Sequence, residues 1–532
     1  MEIKGFIADL GISCPPSSAR CKMKPFRKSL ALWMLFSVSF LCTYSAEITR
    51  PSFYRLKVRI EPESGELSVE GKFHVILGDP SRKEIDFNLH GTFSIQRLKV
   101  NGRPADFQME TNEPWIIIPS SKKITVEIPE VDDRKTIDVD IVYLGKLEDI
   151  PEFGTFEDQK WALDDQINPR MIELANYSCW YPQFSFGVRF DTDLVLSLPD
   201  GWNCVCSGEK IDEWKDRNRK LSRWVSRNDT DIVIVGSPQL KLKTYKGNRI
   251  NIHLYHTQMP ESYLESEISQ IEETFNLYTE LLGSTAIPAG TVKHVFSPKR
   301  KGQGGAGIAR PGMIVTSEGR TLDELKNDPD FSLFHGIAHE IAHFWWNFGS
   351  GQGDWINETF AEYFASVADQ RIMSEEKFKS DLESYRELVK ELPDDAPPLS
   401  SVPFAEGETN YIVRYYKGSL MLDDIRNRIG DRIFFQICRD FFQKLHHDLI
   451  GTTEFRGFWG DRLPEHKDVL NAWLDSPGGF PATKKLNSSL PFCMGDNDKK
   501  TGGAAGGAPR PPAAEGCPLG DGWSEDGRGR KP

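Results

Sequence analysis

The apolar and polar residues of the chain follow two different patterns, which meet near residue 244. Before that point, residues 55–60, 72–77, 124–128 and 137–143 alternate between apolar and polar side chains, and Gly, Pro, Asn and Asp lie between them. Such alternation is typical of β-strands with one buried face. Residues 46–243 are therefore predicted to form an N-terminal β-sheet domain.

Beyond residue 244 the apolar residues recur mainly at helical spacing. Residues 263–282 have one apolar face, and residues 292–296 and 313–317 are typical of short buried strands. Further helical segments continue to Trp473. Residues 244–482 are predicted to form a second, mostly helical domain around a short sheet, so the predicted fold class is α+β with more than one domain.

The two ends of the chain follow neither pattern. Four basic residues precede an apolar run at residues 30–41, and small residues follow that run. This order is typical of a secretory signal peptide, so residues 1–45 are predicted to be a leader and the protein to be exported. An uncleaved leader that anchors the protein in a membrane is the alternative; after cleavage no stable membrane span is expected. Residues 483–532 are rich in Gly, Ala and Pro and are predicted to be disordered.

Composition argues against nucleic-acid partners, and the cysteines beyond the leader could be free or oxidised. The formal net charge is −13, and no basic stripe with interleaved aromatic residues is present, which argues against nucleic-acid binding. In an exported protein the cysteines beyond the leader can oxidise. A disulfide between Cys179 and either Cys204 or Cys206 is predicted, with buried free thiols as the alternative.

The segment from Asp328 to Trp346 carries the clearest chemistry. Its apolar residues recur at helical spacing and Asp328 is a suitable N-cap, so one helix is predicted. Within it lies His339-Glu340-Ile-Ala-His343. Two imidazoles four residues apart differ by about 40° around a helix and by about 6 Å along it, so both can reach one ion. Glu340 is then placed to act on a metal-bound water as general base rather than to bind the metal.

A second helix is predicted to supply the third metal ligand. A short glycine-rich loop at residues 349–353 precedes a helical segment that carries Glu358 and Glu362 on one stripe. Two histidines and one carboxylate, with one position left for water, are a catalytic zinc set, whereas structural sites use four protein ligands. From the spacing of residues alone, either glutamate is a candidate.

These motifs resemble the zinc site of the gluzincin metallopeptidases of the aminopeptidase N and leukotriene hydrolase family. The matching residues are the His339 to His343 motif and Trp355-Ile-Asn-Glu-Thr-Phe-Ala-Glu-Tyr, which is similar to the W-x-N-E-G-F-A segment of that family. The resemblance implies Glu358 as third ligand. Fourteen residues separate His343 from Glu358 where the family has eighteen, so counting would select Glu362. The local match favours Glu358, because a loop can shorten without moving the helices around it.

The resemblance also implies a thermolysin-like fold for the helical domain and a role for Tyr415. The segment Tyr415-Tyr-Lys-Gly418 matches the Y-x-K-G segment of the family, whose tyrosine stabilises the oxyanion of the tetrahedral intermediate. A phenol suits this task because it donates a hydrogen bond at neutral pH without bringing a charge.

The glycine-rich loop before residue 313 departs from the family. Relatives carry G-x-M-E-N there: the backbone holds the substrate and the Glu binds its free amino terminus. Here Gly305-Ala-Gly-Ile-Ala309 takes that place and has no carboxylate. By this resemblance, Gly304, Gly305, Ala306 and Gly307 are predicted to contact the substrate backbone.

The missing carboxylate bears on specificity. A buried ammonium group needs a partner charge, since leaving it unpaired costs several kcal/mol. Unless an acidic residue of the β domain such as Glu157, Asp164 or Asp165 replaces it, the preference for a free amino terminus is expected to be weak.

Together these observations predict a zinc-dependent peptidase that acts on peptide substrates and is aminopeptidase-like, with an atypical loop for the amino terminus. His335, four residues before His339, is expected to pack beside the ligands or support them rather than bind the ion. Two alternatives remain at this stage: an inactive binding module that kept the fold, and another zinc hydrolase on the same scaffold.

Overall fold

A computed structural model provides the structure of the protein and describes residues 49–481, apart from several short gaps. The gaps are residues 116–117, 130–134, 148–151, 157–158, 163–164, 186, 300–306 and 405–406. The predicted leader at 1–45 and the predicted tail at 483–532 lie outside the described residues. Within the described part, no helix is long and apolar enough to cross a membrane.

Residues 50–256 are mostly β structure, as the alternating pattern predicted. The strands are β1 (Arg50–Glu61), β2 (Glu66–Ile76), β3 (Glu84–His90), β4 (Ser94–Val100), β5 (Arg103–Pro104), β6 (Phe107–Trp115), β7 (Ile118–Glu127), β8 (Thr136–Lys146), β9 (Glu152–Phe156), β10 (Gln159–Ala162), β11 (Gln166–Asn168), β12 (Met171–Leu174), β13 (Phe190–Pro199), β14 (Asn203–Cys206), β15 (Glu209–Asp216), β16 (Arg219–Asp229), β17 (Ile234–Ser237), β18 (Lys241–Lys246) and β19 (Asn251–His256).

Eight of these strands build one sheet in the order β15-β16-β13-β1-β2-β8-β4-β5. Three others build a second sheet in the order β3-β7-β6. Strand β1 shows the expected alternation, with Leu56, Val58 and Ile60 buried between exposed residues. Buried residues of both sheets, such as Phe73 and Phe87, belong to one hydrophobic core. Burial of one face therefore fixes which residues of each strand point inward.

The rest of the described chain is mostly helical around a five-stranded sheet. The remaining strands and the helices are β20 (Thr291–Ser297), β21 (Gly307–Arg310), β22 (Met313–Ser317), α1 (Glu261–Leu282), α2 (Glu318–Asn327), α3 (Phe334–Ala342), α4 (Trp355–Ala368), α5 (Glu375–Lys390), α6 (Glu408–Ile412), α7 (Gly418–Ile429), α8 (Asp431–Leu445), α9 (Thr452–Arg462) and α10 (Lys467–Asp475). The sheet order is β18-β19-β20-β22-β21, which leaves β21 at an edge. A β-sheet domain followed by this helical part confirms the predicted α+β fold class.

Helices α1, α3, α4 and α7 pack closely and fix the positions of α3 and α4. The buried hydroxyl of Tyr278 on α1 lies 3.1 Å from the carbonyl oxygen of Ala338 and 2.8 Å from that of Phe364, so it ties α3 to α4. Helix α7 approaches α4 at Gly418, where a Cβ would overlap the side chain of Thr359. This close contact lies one residue from Glu358 and leaves α4 little freedom to shift.

The predicted helix over residues 328–346 is wrong at both ends. Asp328 is the C-cap of α2, with extended backbone angles of −136° and 102°. A residue before proline is biased away from helical angles, and the Asp328 carboxylate instead accepts a hydrogen bond from the amide of Asp330 at 3.0 Å. Helix α3 begins only at Phe334 and ends at Ala342.

The predicted disulfide is also wrong. Cys179, Cys204, Cys206 and Cys438 are free thiols in the structure, and three of them are buried. The stated alternative, buried free thiols, describes them better. Cys204, the one that is partly exposed, lies 3.6 Å from the hydroxyl of Ser222 rather than next to Cys179.

Candidate active site

Helix α3 supplies His339 and Glu340, and the residue after its end supplies His343. His343 is the C-cap and keeps nearly helical backbone angles of −63° and −13°. The two imidazoles therefore stay one turn apart although the hydrogen-bonded helix has ended. Their ring centroids lie 4.9 Å apart, and both Nε2 atoms point to the same place, 3.2 Å from each other.

A tight loop places α4 beside these histidines. Gly349 and Gly353 have no room for a side chain, because a Cβ at Gly353 would lie 2.6 Å from the carbonyl oxygen of Ile450, and one at Gly349 would collide with Gly353 itself. The side-chain amide of Asn357 closes the loop: it donates to the carbonyl of Gly349 at 3.0 Å and accepts from its amide at 2.8 Å. Gly349 and Gly353 thus permit the short connection between His343 and Glu358.

The structure brings His339, His343 and Glu358 together. Oε2 of Glu358 lies 3.5 Å from Nε2 of each histidine. Ligand atoms about 2.0–2.2 Å from a tetrahedral zinc ion are separated by roughly 3.3–3.5 Å. The three atoms are therefore spaced as three corners of such a tetrahedron.

Glu362 faces the opposite nitrogen of His339. Its Oε2 lies 2.8 Å from Nδ1, so Nδ1–H donates to this carboxylate and Nε2 is left with its lone pair toward the site. In His343, Nδ1 lies 2.9 Å from the carbonyl oxygen of Trp346, which fixes the same tautomer. Neighbours of this kind orient metal-binding imidazoles and make them better ligands.

The residues present fit a divalent metal ion. Among the described residues, Oε2 of Glu358 accepts no hydrogen bond although it is buried. Burial lowers the pKa of His339, but Glu358 and Glu362 outweigh it and raise that pKa to about 10. The site therefore favours positive charge at Nε2, and a cation bound by the three atoms satisfies both observations. The absence of cysteine from this set points to a catalytic rather than a structural zinc site.

Glu340 lies against the edge strand β21. A Cβ at Gly307 would lie 2.6 Å from Oε1 of Glu340, so a larger residue there would displace this carboxylate from its position. Burial raises the pKa of Glu340 and the Glu358 charge adds to the effect, while both metal-site histidines oppose it; the net shift is upward. A carboxylate with a raised pKa is a stronger base than an exposed one, as proton abstraction requires.

Tyr415 lies beside the metal-site histidines, in contact with the ring of His339. It lies on a π-helical turn, Val413–Lys417, and its ring stacks on that of His339 with 5.6 Å between centroids and 3° between planes. Tyr411 stacks on its other face at 4.0 Å. Burial and the nearby Glu358 carboxylate raise the pKa of Tyr415 well above its ordinary value, so the phenol stays protonated and able to donate.

One functional neighbour was missed in the sequence. Nη2 of Arg414 lies 3.6 Å from Oε1 of Glu358 and also pairs with Asp354. This arginine holds the second oxygen of Glu358 while the first faces the histidines. Nothing in the local sequence distinguishes Arg414 from any other arginine on a helix, because its partners lie about 60 residues earlier in the chain.

Three of the four predicted substrate-contact residues, Gly304, Gly305 and Ala306, lie outside the described residues. The fourth, Gly307, is the first residue of β21 and lies beside Glu340. Its neighbour Ile308 packs against a hydrophobic core that includes Val295, Met313 and Val315 of the same sheet.

Comparison with known proteins gives an independent result for the same region. Residues 304–473 match the model of the peptidase family M1 domain. Human aminopeptidase O is 26% identical over 180 residues, and its mouse counterpart is 22% identical over 181 residues. Each match covers 27% of this chain and 22% of the relative, so the chain spans about a fifth of the length of these curated relatives.

Solved structures match over a larger part of the fold. The M1 zinc metallopeptidase from Deinococcus radiodurans has a TM-score of 0.62 at 16% identity and covers 82% of this chain and 97% of its own. Leukotriene A4 hydrolase from Saccharomyces cerevisiae has a TM-score of 0.62 at 17% identity and covers 82% and 69%. The family match over residues 304–473 confirms the resemblance to gluzincin peptidases that the zinc motif indicated.

The two glutamates of α4 can be separated by zinc affinity. Glu358→Ala removes the carboxylate that faces both Nε2 atoms, whereas Glu362→Ala removes only a neighbour of one histidine, a change that typically weakens metal binding about 10–100-fold. Glu358→Ala is expected to weaken zinc binding considerably more than Glu362→Ala in a chelator competition titration. Glu383→Ala, at an exposed position on α5, serves as the control with unchanged affinity. A larger loss in Glu362→Ala would mean that Glu362 is the ligand.

Proposed function

We propose that the protein is a zinc-dependent peptidase. The observation that carries the proposal is the close group of Nε2 of His339, Nε2 of His343 and Oε2 of Glu358, with the Glu340 carboxylate next to it. The M1 domain match and the zinc metallopeptidases of the same fold support it.

Each residue of the site has a distinct task in the proposed hydrolysis. His339, His343 and Glu358 hold the zinc ion, which when bound supplies Lewis acidity and an acidified water. Glu340 accepts the proton of the attacking water and then delivers it to the leaving amine. Tyr415 donates its hydroxyl hydrogen to the oxyanion that develops at the scissile carbonyl.

Strand β21 offers a place for the substrate backbone. Among the described strands it pairs only with β22, which places it at the edge of the five-stranded sheet. A peptide in extended conformation can add to such an edge through main-chain hydrogen bonds, which bind without regard to side-chain identity. Because Gly307 on this strand lies against Glu340, a peptide bound there passes close to the base.

Glu340→Gln tests the proposed base while keeping the shape of the side chain. The amide cannot accept the proton of the water, but none of the three metal-facing atoms is altered. We therefore expect zinc content close to one ion per chain, measured by metal analysis, and a loss of peptidase activity of at least about 10²-fold. Glu376→Gln on the surface of α5 is the control. Retained activity, or loss of zinc from Glu340→Gln, would contradict the assigned role.

A weak preference for a free amino terminus is the second part of the proposal. At the position where relatives carry the clamp glutamate, the chain has Ile308, and its side chain packs against the hydrophobic core. Two residues further along the strand, Nε of Arg310 lies 2.9 Å from Oδ2 of Asp231. This acidic group of the β domain is therefore already paired with a cation of the strand itself.

Of the acidic residues named as possible replacements, only Asp165 is described by the structure. Asp165 is buried and accepts hydrogen bonds from the amides of Ala175 at 2.9 Å and Ser178 at 3.2 Å, so it supports a turn of the backbone. Glu157 and Asp164 lie outside the described residues.

Matched peptides with free and acetylated amino termini test this specificity. We expect the two kcat/KM values to differ by less than about 10-fold, which is about 1.4 kcal/mol. Ile308→Glu restores a carboxylate at the clamp position and is expected to raise the preference for the free amine, whereas Ile308→Gln, which adds no charge, is the matched control. A preference of about 100-fold or more in the unmodified protein would show that another group binds the ammonium.

A further inference from the structure

Behind the three metal-facing atoms, Glu362 is the centre of a second group of polar side chains. One oxygen, Oε2, accepts from Nδ1 of His339 at 2.8 Å. The other, Oε1, lies 2.7 Å from the hydroxyl of Tyr385 on α5 and 3.3 Å from Nε2 of His335 on the first turn of α3. The carboxylate is therefore held from both sides.

The partners of Glu362 are fixed in turn. Nδ1 of His335 lies 2.5 Å from Oδ2 of Asp369, a carboxylate that is 1% exposed. The hydroxyl of Tyr385 also lies 3.2 Å from that of Ser366, on the same helix as Glu362. Side chains of α3 and α5 thus contact the Glu362 carboxylate, and Ser366 and Asp369 hold those side chains in place.

His335 lies between two carboxylates, and this position bears on the protonation of its ring. Nδ1 faces the Asp369 carboxylate, and Nε2 lies 3.3 Å from Oε1 of Glu362 and 3.4 Å from the hydroxyl of Tyr385. Because a carboxylate can only accept, this placement favours donation from both ring nitrogens and a positively charged imidazole. Burial alone would lower its pKa, but Glu362 and Asp369 together raise it to about 9. The resulting charge and the tyrosine hydroxyl oppose rotation of Glu362 away from His339.

We propose that His335 and Tyr385 are positioning residues: they hold Glu362, and through it the ring of His339, in the orientation that binds the metal. The inference rests on the proposed function, since it concerns the same metal centre. Neither residue is placed to touch the ion or the substrate. Both contact Oε1 of Glu362, while the other oxygen of this carboxylate, Oε2, orients His339.

A second metal ion is the competing interpretation of these side chains. His335, Asp369 and Asp381 bring ligand atoms within 4.8 Å of one another. However, Nζ of Lys377 lies 3.8 Å from Asp369 and pairs directly with Asp381. The ammonium group of Lys377 already provides the positive charge that a metal ion would bring there.

Zinc affinity in a double-mutant cycle tests the inference on the full-length chain. In a chelator competition titration, His335→Phe is expected to weaken zinc binding about 3- to 10-fold, below the range typical of a direct neighbour of a ligand. In the Glu362→Ala background the same substitution is expected to change affinity less than about 2-fold, because residues that act through one group are not additive. Tyr385→Phe is expected to show the same pattern.

The controls separate positioning from a merely structural role. His447→Phe, at an exposed histidine just beyond the end of α8, should leave zinc affinity unchanged, and thermal melting of each variant reports its stability. If His335→Phe does not give a cooperative melt, His335→Gln replaces it in the cycle. A structural role alone would lower the melting temperature with no change in zinc affinity.

Three results would overturn the inference. Unchanged zinc affinity in both His335 variants would refute it, and so would an equal loss in the presence and absence of Glu362; either leaves the proposed function intact. If the unmodified chain binds no zinc, the proposed function fails, and the inference fails with it.

Discussion

The compensation of buried negative charge is the constraint on which the rest of this site depends. Glu340 on α3, Glu358 and Glu362 on α4, and Asp369 directly after α4 are all largely buried. Uncompensated buried charges cost several kcal/mol each. His335 provides one positive charge. Arg414 pairs with Glu358, and protons on the two remaining histidines or one divalent cation can provide more positive charge. A cation bound between the three atoms would contact directly the buried oxygen of Glu358, which accepts no hydrogen bond among the described residues.

Dense packing makes this arrangement of charges possible. The hydroxyl of Tyr278 joins α3 to α4, Gly418 lets α7 approach α4 at Thr359, and Gly353 lets the connecting loop lie directly against the backbone near Ile450. None of these residues takes part in chemistry. They fix the distance between two helices, and that distance decides whether Glu358 meets the histidines.

Part of this could be predicted from the sequence because it depends on local spacing. The β-strand alternation, the helical pattern beyond residue 244 and the pair His339 and His343 depend only on periods of two and of about four residues. These patterns gave the α+β fold class, which the structure confirms. The choice of Glu358 came from a local match of residues and stays a prediction, supported by the spacing of its Oε2 from both Nε2 atoms.

The rest depends on contacts that no local pattern encodes. Asp328 was expected to begin a helix, but its own carboxylate and the following proline terminate one. Arg414 holds Glu358 from a π-helical turn that the sequence did not indicate. Glu362 was the alternative third ligand that counting selected, yet it faces the far nitrogen of His339. Each outcome follows from which side chains the fold brings together.

Anomalous diffraction at the zinc absorption edge from crystals of the full-length protein tests the central claim most directly. One strong peak is expected within about 2.0–2.2 Å of Nε2 of His339, Nε2 of His343 and Oε2 of Glu358. A peak beside His335, Asp369 and Asp381, or a zinc ion bound through Glu362, would contradict it.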